Sequence, residues 1–110
     1  MEIKIASENG ISIVSIEGSL DTNTSKEAGD KLNRLVEDGK LKLLIDLTKL
    51  QYVSSSGLRV LLATFKKIKP LNGEMKICGL NENVNEVFEI SGFSTIFKVF
   101  KSVEETKADF

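Results

Sequence analysis

The chain has 110 residues, 15 basic and 16 acidic side chains for a net charge of −1, no histidine and one cysteine. That length fits one domain over residues 1–110 with a core that needs no metal or disulfide. The composition excludes histidine-based triads, histidine-ligated zinc, an internal disulfide and the basic excess that draws a chain to nucleic acid or a membrane surface.

No apolar run approaches the ~20 residues that cross a bilayer, and Met1-Glu2-Ile3-Lys4-Ile5 lacks the continuous apolar stretch of a signal peptide. The expectation is a cytoplasmic protein without cofactor or metal. Ile3 and Ile5 alternate with Glu2 and Lys4 as in a half-buried strand. Asn9-Gly10 then gives a hairpin turn, because both positions tolerate positive φ. A second strand follows, with Ile11, Ile13 and Ile16 on its apolar side and Val14 out of phase. Glu17-Gly18-Ser19-Leu20-Asp21 breaks that pattern. Thr24 and Glu27 have capping-box spacing. Ala28, Leu32, Leu35 and Val36 recur as one helical face, and Gly39 closes the helix. Asp21, in the loop before it, reads by chemistry alone as a turn-forming or capping residue.

Leu41-Lys42-Leu43-Leu44-Ile45-Asp46-Leu47 is almost continuously apolar, the pattern of a strand buried on both faces by parallel pairing. Residues Thr48 to Val53 read as a connector. Leu58, Leu61, Leu62, Phe65 and Ile68 form one face of the next helix, beginning near Gly57. Pro70 ends it and Asn72-Gly73 turns the chain. Leu44, Leu61 and Phe65 are expected between the central strand and this helix. Lys66, Lys67 and Lys69 lie at its C-terminus, where cations suit the helix dipole. Glu74 to Cys78 reads as a short strand. Asn81 caps a helix carrying Val84, Val87 and Phe88, with Gly92 past its end. Phe93, Ile96, Phe97 and Val99 suggest an edge strand. Ser102 and Glu105 form a capping box for a last short helix. A hairpin followed by strand–helix units predicts an α/β fold, with a mixed sheet of four or five strands and helices packed mainly on one face.

Neither a nucleotide-cradling glycine loop nor a dinucleotide fingerprint occurs, since Gly57 stands alone. Ser54, Ser55 and Ser56 have no histidine as base and no lysine close in sequence. Asp21 and Asp46 have no spacing that brings them together. The three serines sit where a strand gives way to a helix, and the unpartnered N–H groups there accommodate an anion, including a phosphate on a serine. Capping the helix is the plainer role for such serines.

Leu47-Thr48-Lys49-Leu50-Gln51-Tyr52-Val53-Ser54-Ser55-Ser56-Gly57-Leu58 resembles the signature loop of the bacterial anti-sigma factor antagonists of the STAS (sulfate transporter and anti-sigma factor antagonist) family. That loop carries Tyr or Phe and a hydrophobic residue, then Asp-Ser, a small residue, Gly and Leu. Glu17-Gly18-Ser19-Leu20-Asp21 resembles the family's acidic turn, and Asn72-Gly73-Glu74-Met75 its entry to a later strand. The stretch Val84 to Phe93 resembles its late helix and Gly-Phe ending. The resemblance spans the chain and implies a STAS-like fold. It further implies a phosphoacceptor at Ser55, the serine directly after the position of the Asp, with Ser54 and Ser56 as the nearest rivals. Ser54 stands in place of that Asp. Asp21, Ser54, Ser56 and Gly57 are implied to form a partner-binding surface.

In the family the partner is an anti-sigma factor that is itself a serine kinase. The unphosphorylated antagonist binds this kinase and frees the sigma factor, and a serine phosphatase resets the cycle. The resemblance implies the same here: a non-enzymatic monomer that binds no nucleic acid directly and no membrane. The alternative within the fold is an unswitched STAS docking subunit of a stressosome-like assembly or a lipid-transport ATPase. An enzyme or nucleotide-binding domain is the third reading and lacks the motifs it needs.

Overall fold

The computed structural model describes residues 1–110. Asn9 and Gly10 both take positive φ, 51° and 80°, as a two-residue hairpin turn requires. They join strand β1 (Glu2–Glu8) antiparallel to β2 (Ile11–Leu20). The chain continues through α1 (Ser25–Glu37), β3 (Lys42–Asp46), β4 (Leu50–Val53), α2 (Ser55–Ile68), β5 (Glu74–Cys78), α3 (Glu82–Ile90), β6 (Lys98–Phe100) and α4 (Val103–Ala108). Short 3-10 turns occupy Lys69–Leu71 and Phe93–Thr95.

The sheet has six strands in the order β1-β2-β3-β5-β6, and β4 pairs with the far end of β2. Only the β1–β2 pair is antiparallel. The fold is therefore the expected mixed α/β sheet, with more strands than the four or five anticipated. The additional strand is β4, which the sequence reading treats as a connector. Its four residues alternate poorly: Leu50 and Val53 are buried, Gln51 and Tyr52 exposed. Nor does β2 stop at Glu17. It passes a register shift between Gly18 and Ser19 and pairs Leu20 with Val53. Gly18 takes a φ of 92° there, which glycine adopts without a Cβ penalty.

Helices α1, α2 and α3 cover one face of the sheet. Val14, Ile16, Leu20, Leu43, Ile45 and Ile77 from the strands meet Leu32, Leu61 and Phe88 from the helices in one core. The opposite face is covered by α4 alone, over a small cluster of Ile11, Leu44 and Cys78. Leu44 thus points away from α2, contrary to the expectation that grouped it with Leu61 and Phe65. Successive strand side chains alternate between faces, so Leu43 and Ile45 share one layer and Leu44 the other. The same alternation puts Val14 and Ile16 in the main core and Ile11 on the α4 side. Burial on both faces removes the polar half of the pattern from which the phase of a strand is read.

The α4 face carries the buried lysine of the fold. The Lys76 side chain is only 8% exposed and its ammonium lies 2.8 Å from the Asp109 carboxylate. It also lies 4.4 Å from the centre of the Phe110 ring. Lys107 reaches back to Glu8 at the end of β1, at 2.8 Å. Burial beneath this helix pushes the Cys78 thiol up to about 11, with the Asp46 carboxylate adding to the effect against a hydrogen bond from Thr106. Cys78 is therefore a buried, protonated core thiol rather than a nucleophile.

Candidate functional site

The serine loop is built by the parallel pairing of β2 with β4. Leu20 and Val53 are register partners at the ends of the two strands. Asp21 follows the first and Ser54 the second, so the pairing brings their backbones to the same end of the sheet. The Ser54 N–H donates to the Leu20 carbonyl at 2.9 Å, which continues the ladder into the loop.

Ser54 is extended, with φ −93° and ψ 174°, and is the N-cap of α2. Its hydroxyl oxygen accepts from the Gly57 N–H at 3.2 Å, while its carbonyl accepts from Leu58 N–H at 2.9 Å. The helix therefore begins at Ser55, two residues earlier than the start near Gly57 expected from the sequence. Ser55 is exposed, and Ser54 and Ser56 are half-buried. The first N–H groups of a helix have no partner within it. Ser54 satisfies that of Gly57, which leaves the N–H groups of Ser55 and Ser56 facing the loop. Exposed Tyr52 precedes this loop on β4, and exposed Arg59 lies four residues after Ser55, on the same side of α2.

Gly57 is buried rather than presented to solvent. A Cβ at this position would lie 2.6 Å from the Leu20 carbonyl oxygen, 2.8 Å from Leu20 Cγ and 3.0 Å from Val53 Cγ2. The first turn of α2 rests directly on the ends of β2 and β4, and only glycine allows that approach. Leu20 and Val53 are thus part of the site's support. The sequence signal for a close approach is the glycine itself, three residues after the cap and inside the first turn of a helix, though it does not name the partner residues.

Asp21 performs the turn role that its chemistry suggests. Its carboxylate accepts from the Asn23 N–H at 2.9 Å and from the Thr24 N–H at 3.2 Å. The Thr24 hydroxyl donates to the Ser19 carbonyl and accepts from the Asp21 N–H. Thr24 makes no side-chain cap of α1, so the capping box expected with Glu27 is replaced by this Asp21-centred turn. Asp46 serves a different turn, bonding Thr48 and Ser15; no hydrogen bond joins it to Asp21. Of the expected surface residues, Asp21, Ser54 and Ser56 are half-buried at one end of the sheet, with Ser55 exposed, and Gly57 lies beneath.

Residues 2–106 match the STAS domain. BtrV of Bordetella bronchiseptica, named as an anti-sigma factor antagonist, is 36% identical over 110 residues, covering 100% of this chain and 95% of that protein. The anti-sigma-B factor antagonist of Listeria monocytogenes is 32% identical over 104 residues, 94% of this chain and 90% of that one. Among solved structures, an anti-sigma factor antagonist from Mycobacterium paratuberculosis superposes with a TM-score of 0.91 at 21% identity, covering 98% of this chain and 92% of that one. SpoIIAA, an anti-sigma factor antagonist solved in its unphosphorylated form, gives a TM-score of 0.77 at 14% identity, with 98% and 96% covered. By fold, by family and by its relatives, the chain belongs to the STAS domain family, in the group of anti-sigma factor antagonists.

Proposed function

We propose that this chain is an anti-sigma factor antagonist switched by phosphorylation at Ser55. Unphosphorylated, it binds an anti-sigma factor serine kinase through the loop at Asp21 and Ser54–Gly57 and so releases a sigma factor. The kinase phosphorylates Ser55 and thereby loses its grip, and a serine phosphatase restores the first state. The protein acts as a monomeric cytoplasmic regulator rather than an enzyme, without touching DNA or a membrane.

The observation that supports Ser55 over its rivals is the division of labour among the three serines. The Ser54 oxygen is engaged by the Gly57 N–H and Ser56 is half-buried, whereas Ser55 is exposed. A phosphate on Ser55 adds about −1.5 to −2 charge at neutral pH. The free N–H groups and dipole of α2 favour that charge, as does Arg59 one turn on. The fold therefore tolerates the modification, and its cost falls on the partner, which must desolvate or face a new dianion. A loss of ~3 kcal/mol in binding corresponds to more than a hundredfold in affinity.

The test is incubation with the kinase and ATP, followed by location of the phosphate by mass spectrometry. Label on Ser55 is expected. Ser55→Ala should bind the kinase and take no label, and Ser55→Asp should bind more weakly. Label on Ser54 or Ser56 refutes the assignment. A partner bound with no label on any serine points instead to the unswitched docking subunit.

A further inference from the structure

The C-terminal half of α2 carries an open groove of about 460 Å³ lined by Leu62, Phe65, Lys66, Lys69, Pro70 and Ile96. A smaller groove of about 240 Å³ shares Phe65, Lys69 and Ile96 and extends it toward Met75 on β5. The floor is apolar: Leu62 and Phe65 are half-buried, and Ile96 remains 41% exposed. Two exposed lysines stand over it. The ion pairs of the protein engage Lys4, Lys26, Lys67, Lys76, Lys98 and Lys107, so Lys66 and Lys69 have no carboxylate. The Lys69 ammonium lies 5.5 Å from the centre of the Phe65 ring, which holds unpaired positive charge above apolar surface. Complementing the dipole at the end of a helix explains lysines there. It does not explain an open apolar floor between them.

We propose that this groove docks an acidic amphipathic segment of a protein partner. Apolar side chains at helical spacing enter between Phe65 and Ile96, and flanking carboxylates meet Lys66 and Lys69. The choice of a protein segment over a lipid surface follows from shape and charge. The site is concave, holds two free cations and belongs to a chain of net charge −1, whereas anionic membranes draw extended basic faces. Lys66 lies eleven residues after Ser55, about 16 Å along the helix axis at ~1.5 Å per residue. Docking here leaves the serine loop open and gives a partner a second attachment independent of the phosphate.

The test uses the whole chain, isotope-labelled for NMR, titrated with a 14-residue synthetic peptide carrying Leu and Phe at helical spacing of three and four and Glu elsewhere. Saturable shifts are expected at Phe65, Lys66, Lys69 and Ile96, with Ser54–Gly57 unmoved. Affinity should fall at least fivefold for Lys66→Glu/Lys69→Glu, less for Lys66→Gln/Lys69→Gln, and at least fivefold when Lys replaces Glu in the peptide. Both lysines are exposed, and the spectrum of each variant reports its fold directly. The proposal is overturned if no saturable shift occurs, if the shifts lie elsewhere, or if the cationic peptide binds as well. It is equally overturned if phosphatidylglycerol vesicles occupy the groove and the acidic peptide does not.

Discussion

Replacing Gly57 by alanine tests whether the serine loop rests on the sheet as described. Glycine is among the poorest helix formers, so the substitution would gain up to ~1 kcal/mol in an unobstructed helix interior. Here the new methyl would lie 2.6 Å from the Leu20 carbonyl oxygen, well inside ordinary contact. That oxygen cannot step aside, because it belongs to backbone already fixed by the Ser54 N–H at 2.9 Å. The helix start must move instead, and overpacking of this kind costs ~1–3 kcal/mol. The net expectation is a loss of ~1–2 kcal/mol, or a fall in Tm of ~4–15 °C for a domain of this size. Gly29 in α1 supplies the control. A Cβ there would meet only the Val60 methyl groups at 3.8 Å, an ordinary contact, so Gly29→Ala should gain ~0.5–1 kcal/mol. Thermal and guanidinium denaturation of both variants, followed by circular dichroism, reads the sign. Kinase labelling of Gly57→Ala well below its midpoint should also slow, because Ser55 moves with the displaced turn. If both alanines stabilise the protein, the close approach of α2 to β2 is wrong.

Ser54→Ala removes the cap of α2 and should cost ~0.5–2 kcal/mol, whereas Ser54→Asp keeps a capping oxygen and adds charge favoured by the dipole, gaining ~0.3–1 kcal/mol; chemical denaturation ranks the two. Leu44→Ala should lose ~2–5 kcal/mol and speed reaction of Cys78 with a thiol reagent, because both side chains lie beneath α4; an unchanged midpoint would contradict that layer. The hydrogen bond from Lys76, with a second from Lys98, holds the Asp109 carboxyl below its ordinary value of 3.8. A depressed carboxyl pKa stabilises the fold above the unfolded value, and that contribution is lost as pH falls through the folded one. Asp109→Asn should therefore be less stable than the parent at neutral pH, and the gap should close as pH falls through and below the ordinary carboxylate range; a gap independent of pH would refute the pairing.

The elements legible in the sequence are those whose signal is local. Asn9-Gly10 announces its turn by backbone tolerance, Asn81 caps α3 by accepting from the Val84 N–H at 2.8 Å, and the apolar run ending at Leu47 reads as a strand buried on both sides. What escaped is set by contacts between distant residues. Four residues of β4 are too few to show a period, and they become a strand only because the bulge at Gly18 carries β2 alongside them. The phase of Leu44 was invisible because both faces of β3 are apolar. In the site, the serines and their junction were legible, and the Ser54 cap was anticipated as the plain reading. The structural role of Gly57 was not, since nothing near it in sequence names the Leu20 carbonyl.

The length of β2 also bears on how the chain emerges from a ribosome. Its first partner, β1, precedes it, so the hairpin can close as soon as both strands are made. Its second partner arrives much later: Ser15 and Asp46 meet across a separation of 31 residues. At ~5–20 residues per second, that interval lasts about 2–6 s. Throughout it, Ile11–Leu20 offers one bare, strongly apolar edge to any neighbouring nascent chain. Serines at 12, 15 and 19 interrupt the run and lower its tendency to pair with copies of itself. The strand that ultimately supports the serine loop is thus also the stretch most in need of shielding during synthesis.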